Sequence, residues 1–165
     1  RGHILDNRLL YSAILIADEN GALYNAAIRN PVVARAIMDA VRRVDPALTI
    51  VTMQQGCLLD QAVALSNPVI VEGFVDRSYQ ADGTLTPRDR PGALHERDVD
   101  AVDQALWIAR DGAVRSLDGT WLSVPARTLC VHGDGKSALS LLRLVRLDGL
   151  ARRTALELMI LERRG

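Results

Sequence analysis

The sequence predicts an α/β fold on three observations. Apolar runs of strand length alternate with amphipathic helical stretches, the helical stretches carry start and stop residues, and a polar cluster follows each strand-sized run. An order of strand, helix, strand, helix, strand points to parallel strands joined by helical crossovers. The first strand is read at residues 13–17, a continuous Ala-Ile-Leu-Ile-Ala run. Asn30-Pro31 then supplies an N-cap and a proline at the first helical position. Val32, Val33, Ala36, Ile37, Ala40, Val41 and Val44 follow at helical spacing, and Asp45-Pro46 stops the helix. Residues 48–53 read as the second strand, 56–65 as a short helix and 68–71 as a very short third strand.

The middle of the chain changes character. Residues 74–94 hold Asp82-Gly83, Pro87, Pro91 and Gly92 without helical period. They read as a long loop, and loops of more than about 12–15 residues inside compact domains are commonly functional. Residues 98–111 return to helix, with Val99, Val102, Ala105, Leu106 and Ala109 as the apolar stripe and Gly112 placed to end it. Asp118-Gly119 lies between two β-rich segments and predicts a hairpin. Residues 128–131 form another buried-type strand, a helix is expected over 136–147, and a final helix over 150–164.

Composition narrows the function classes. The chain has 165 residues, 20 basic against 20 acidic, and a net charge of zero. That is enough length for one domain with a real core, and 48% hydrophobic residues exclude a disordered chain. Charge neutrality argues against nucleic acid or a membrane surface as partner. No apolar run approaches the roughly 18 residues of a membrane helix, and no leader pattern opens the sequence, so the cytoplasm is the expected compartment. Cys57 and Cys130 lack metal-site or disulfide-framework spacing. The chain opens on Arg1 rather than Met, so a processed, truncated or partial piece is the expectation.

Ligands of parallel α/β folds gather beyond the carboxyl ends of the strands. There the sequence places Asp18, Glu19 and Asn20, then Gln54 and Gln55, then Glu72, Asp76, Arg77 and Tyr79, and finally His132 and Asp134. Glu72, Asp76, Arg77, His132 and Asp134 are expected to line one cleft. Helix caps and solvated loops are the plainer reading of the same residues. The segment His132-Gly133-Asp134-Gly135-Lys136-Ser137 ends like a phosphate-binding loop, but Cys130 stands where that loop wants a glycine, so a tight turn is expected. Asp18, Glu19, Asp76, His132 and Asp134 could also hold a divalent metal, though no spacing demands one.

Five ordered segments carry a family resemblance: Gly21-Ala-Leu-Tyr-Asn25, Phe74-Val-Asp76-Arg77-Ser-Tyr79, Asp82-Gly83-Thr84-Leu85 with Pro87-Arg88, Pro91-Gly92-Ala93-Leu94, and Cys130-Val-His132-Gly133-Asp134. Together, over residues 18–142, they resemble the LamB/YcsF family, the A subunit of bacterial ATP-dependent 5-oxoprolinase. The resemblance implies the C-terminal portion of a distorted (β/α) barrel of the glycoside hydrolase/deacetylase type, here one domain over 1–165. It implies ATP-coupled opening of the 5-oxoproline lactam to glutamate, with companion subunits B and C. In that scheme Asp76 or Asp134 positions or deprotonates the attacking water, with His132 as proton shuttle. Arg77 clamps a carboxylate or phosphate, Glu72 and Asn25 contact the substrate, and Tyr79 either hydrogen-bonds the substrate or simply packs in the loop.

Two departures bear on activity. The family carries Lys-Pro-His before Gly-Ala-Leu-Tyr-Asn, where this chain has Asp18-Glu19-Asn20. Two potentially cationic groups give way to two carboxylates and an amide, so an anion-binding or acid/base role there is not expected to survive. The family's Asp-Leu-Asn and Cys-Gly-Phe-His-Ala-Gly-Asp segments do not occur in this sequence. The alternatives are therefore a catalytically impaired structural or regulatory partner, or a metal-dependent deacylase on the same fold. The expected absence of the first barrel strands would expose an edge and favour a homo-oligomer.

Overall fold

The computed structural model describes residues 22–132 and 157–161. The chain divides into two compact units, Arg1–Ile70 and Val71–Gly165, the boundary falling within one strand. In the first unit, α1 (Ala22–Arg29) and α2 (Pro31–Val44) precede β1 (Ile50–Thr52), α3 (Cys57–Ala64) and the start of β2 (Val69–Phe74). Asn30 caps α2 as its sequence predicts: its Oδ1 accepts from the Val32 and Val33 amides at 2.9 and 3.4 Å. Such a cap contributes about 1 kcal/mol. Ala34, Met38 and Val41 of α2 are buried with Ala27 and Ile28 of α1, Leu58 and Ala62 of α3, and all of β1. The Ile50 amide donates to the Pro68 carbonyl at 2.8 Å, which sets β1 beside the start of β2. Gly56 has φ +113, and a Cβ there would lie 2.7 Å from the Ile28 carbonyl oxygen, so only glycine fits.

In the second unit, β2, β5 (Thr128–His132) and β6 (Glu157–Leu161) lie side by side as parallel strands. Glu72 is in register with Thr128, Phe74 with Cys130, and His132 with Leu161. The excursion from β2 to β5 contains α4 (Asp98–Asp111) and an antiparallel hairpin of β3 (Ala113–Arg115) and β4 (Trp121–Ser123). Gly112 ends α4 in the left-handed region at φ +58. A Cβ on Gly73 would sit 3.1 Å from Ile108 of α4, so α4 covers the Gly73 face of the sheet. Because side chains alternate along a strand, Glu72, Thr128, Phe74 and Cys130 occupy the opposite face.

Several expectations are corrected. The final stretch forms strand β6 at Glu157–Leu161 rather than a helix over 150–164. The four-residue apolar run Leu158–Leu161 has no period of its own, and pairing in parallel with β5 decides its state. Helix α1 adds an element that the apolar pattern does not predict. The third strand runs on to Phe74, past Val71, which places Glu72 inside β2 rather than beyond its end. The buried face of α4 is Ala101, Gln104, Ala105 and Ile108, whereas Val99 is 53% exposed. A polar Gln104 among the buried residues shifts the apparent stripe. The expected strand at 13–17 and helix at 136–147 lie outside the described residues. Among the described residues, no helix is long and apolar enough to cross a membrane.

Candidate active site

The face of the second unit's sheet away from α4 gathers polar groups in a buried setting. Glu72 is 6% exposed, and burial alone pushes its carboxyl up to about 7, with no hydrogen bond or counter-charge contributing among the described residues. Its register neighbour Thr128 is buried, and Thr128 Oγ1 has no hydrogen-bond partner among the described residues. Two positions along β5, the Cys130 thiol is raised well above its ordinary value, first by burial and then by the charges of Glu72 and Asp76. Arg77 and Arg88 oppose that shift. Glu72, Asp76, Arg77, Arg88 and Cys130 thus share one electrostatic neighbourhood.

The segment after β2 is built from its own hydrogen bonds. Arg77 and Leu94 pair as an antiparallel bridge, as do Tyr79 and Leu85. Arg77 is 3% exposed, and its Nη2 and Nε donate to the carbonyls of Thr86 at 2.6 Å and Ala93 at 3.3 Å. Burial lowers the guanidinium's pKa from its ordinary value, with Arg88 adding to the effect. Tyr79 is buried, its hydroxyl accepts from the Phe74 amide at 2.8 Å, and burial raises its pKa. The loop at residues 74–94 is therefore a small folded unit, and Arg77 and Tyr79 are both bonded into it.

Gln104, on α4, is a residue that sequence reasoning missed. Its Nε2 donates to the carbonyls of Phe74 at 2.7 Å, Arg77 at 2.8 Å and Val75 at 3.3 Å. Its Oε1 lies 3.1 Å from His95 Nε2, which must carry the proton. One side chain thus fixes the backbone at the exit of β2. The signal available in the sequence was an amide on the face of α4 otherwise made of Ala101, Ala105 and Ile108.

Of the other nominated residues, Asp76 is half-buried beside the cluster. His132 closes β5 in register with Leu161, so its backbone sits at the carboxyl end of the sheet. Asn25 lies half-buried on α1 in the first unit. Asp134, Asp18 and Glu19 lie outside the described residues. Among the described residues, no three His, Cys, Asp or Glu side chains form a metal-ligand group. A separate open hollow of about 440 Å³ lies in the second unit between α4 and the hairpin, lined by His95, Trp107 and Asp118 among others. No nominated site residue lines it.

A sequence model of the LamB/YcsF family matches residues 15–159. The chain belongs to the LamB/YcsF family. It is 44% identical over 136 residues to the A subunit of 5-oxoprolinase from Bordetella pertussis, covering 80% of this chain and 54% of that protein. It is 35% identical over 127 residues to the protein of the same name from Pyrococcus furiosus, covering 77% and 50%. Among solved structures, the lactam utilization protein from Thermus thermophilus matches with a TM-score of 0.72 at 34% identity, over 83% of this chain and 53% of that one. The chain therefore spans about half the length of the relatives it matches. The parallel β2-β5-β6 sheet with α4 on one face agrees with a portion of a distorted barrel, as expected for a LamB/YcsF chain.

Proposed function

We propose that this LamB/YcsF chain belongs to the A subunit of an ATP-dependent lactam hydrolase that opens 5-oxoproline to glutamate in concert with companion subunits B and C. The family and the names of its relatives support the reaction class. The observation that carries the reading to particular atoms is Glu72, a buried carboxyl on the sheet face away from α4 with a pKa of about 7. A group poised there exchanges a proton near neutrality, as acid/base work on an amide requires.

In this reading Glu72 works at the lactam itself, and Asp76 or Asp134 orients the water that attacks its carbonyl carbon. His132, at the end of β5, carries the proton toward the leaving nitrogen. Arg77 serves by fixing the loop, since its guanidinium is already committed to Thr86 and Ala93 carbonyls. ATP, when bound, supplies a phosphoryl group that makes an unactivated lactam a better electrophile. The described residues assign no atom to ATP.

The test is turnover. The full-length protein with its companion subunits is expected to convert 5-oxoproline to glutamate only with ATP, and Glu72→Gln is expected to lower kcat by about 10²-fold or more. Glutamate formation without ATP, or an unchanged Glu72→Gln rate, counts against the reading. A second reading rests on Asp18-Glu19-Asn20 replacing the family's Lys-Pro-His. In that case the wild type gives no glutamate with any combination of subunits, yet still co-purifies with them.

A further inference from the structure

Glu72 and Thr128 are register partners on adjacent parallel strands, both buried, on the sheet face away from α4. Among the described residues Thr128 Oγ1 finds no hydrogen-bond partner, and no hydrogen bond contributes to the Glu72 shift. Two such neighbours are costly in a protein interior unless something polar completes them. The described groups around Glu72 are Thr128 and the Cys130 thiol from β5 and, from the loop, the Tyr79 hydroxyl, whose oxygen is spent on the Phe74 amide, with Asp76, Arg77 and Arg88 in the same neighbourhood. None of these charges contributes to the Glu72 shift, which burial alone sets. Arg77, the cation nearest along the chain, is turned to loop carbonyls. A carboxyl in such surroundings is held as the neutral acid over more of the pH range than an exposed one.

A neutral carboxyl presents one O–H donor and one carbonyl acceptor side by side. A ring-closed amide presents the complement, because its cis geometry sets N–H and C=O on one edge. An open-chain amide holds them on opposite sides, and its cis form is disfavoured roughly seventyfold. We propose that the buried Glu72–Thr128 pair grips the cis-amide edge of a lactam, a Glu72 O–H donating to the ring carbonyl while the Glu72 carbonyl oxygen accepts the ring N–H, with Thr128 Oγ1 completing the contact. This deepens the lactam-hydrolase reading and rests on it. It makes Glu72 the residue that selects ring-closed amides.

The probe is 2-pyrrolidinone, which has no titrating group, with N-methyl-2-pyrrolidinone as the analogue that lacks the ring N–H. Calorimetric titration of the full-length protein runs from about pH 5.5 to about pH 8.5. The Kd for 2-pyrrolidinone is expected to be flat at the acid end and to weaken about tenfold per pH unit above about 7. The N-methyl analogue is expected to bind at least tenfold more weakly at the acid end. Glu72→Gln keeps a donor and an acceptor, so it is expected to bind 2-pyrrolidinone within a few-fold of wild type with no pH dependence. Glu72→Leu is expected to lose binding at every pH.

A flat wild-type profile, or equal affinity for the two probes, overturns the inference without help from any variant. Should 5-oxoproline still turn over in that case, the lactam-hydrolase reading stands and only the role of Glu72 falls. Absence of both lactam binding and turnover overturns the two together.

Discussion

Arg77 carries a guanidinium that the sequence suggests for anion binding and that the structure puts to another use. As an exposed guanidinium it would clamp a carboxylate, whereas here it is 3% exposed and forks onto the Thr86 and Ala93 carbonyls. Lysine keeps the charge but cannot reproduce that fork. Arg77→Lys is therefore expected to destabilise the protein by about 2 kcal/mol, read from the urea midpoint, with the KM for 5-oxoproline nearly unchanged. A tenfold rise in KM at unchanged stability would return Arg77 to the role of an anion clamp. Tyr79 makes a parallel case: its hydroxyl satisfies the buried Phe74 amide, so Tyr79→Phe is expected to cost about 1–3 kcal/mol.

At the scale of elements, the exit of β2 depends on α4. Gln104 holds the carbonyls of Phe74, Val75 and Arg77 in one grip and is itself oriented by His95. Gln104→Leu preserves bulk but strands those carbonyls, and a loss of about 3 kcal/mol is expected. Hydrogen exchange should quicken across residues 75–94 while α2 keeps its protection, because α2 is capped and packed inside the first unit. The same elements show what the sequence could reveal. Helices α2 and α4 and the β3–β4 hairpin were legible because their ends are written locally, in Asn30-Pro31, Gly112 and Asp118-Gly119. Strand β6 was not, since Glu157–Leu161 takes its state from its neighbour β5. Glu72 was legible as a polar residue near a strand end, but its burial depends on how far β2 extends and on what β5 places beside it. Gln104 acts on backbone carbonyls some thirty positions earlier, a relation no local pattern encodes.

For the whole molecule, the Glu72 carboxyl links the site to folding. Its folded pKa of about 7 stands above the ordinary value of 4.5. The native state therefore binds its proton more tightly than the unfolded chain does, and protonation favours folding. Below 4.5 both states carry the proton, and stability does not suffer. As pH rises toward 7 the unfolded chain ionises first, and a cost accumulates in the native state. The cost reaches about 3 kcal/mol once both states are ionised. Asp100 and Asp118 work in the opposite sense. A hydrogen bond from Arg97 lowers the first, and hydrogen bonds from Ser116 and Thr120 lower the second. Their contribution is present above the ordinary carboxylate range and fades on acidification, so the raw stability curve mixes the two trends. The difference between wild type and Glu72→Gln isolates one of them. From urea unfolding at a series of pH values, wild type is expected to lose about 3 kcal/mol relative to Glu72→Gln between the acid limit and about pH 8, most of it between 4.5 and 7. A difference that stays constant with pH would mean that Glu72 titrates alike in both states, and that the sheet face it occupies is open to water.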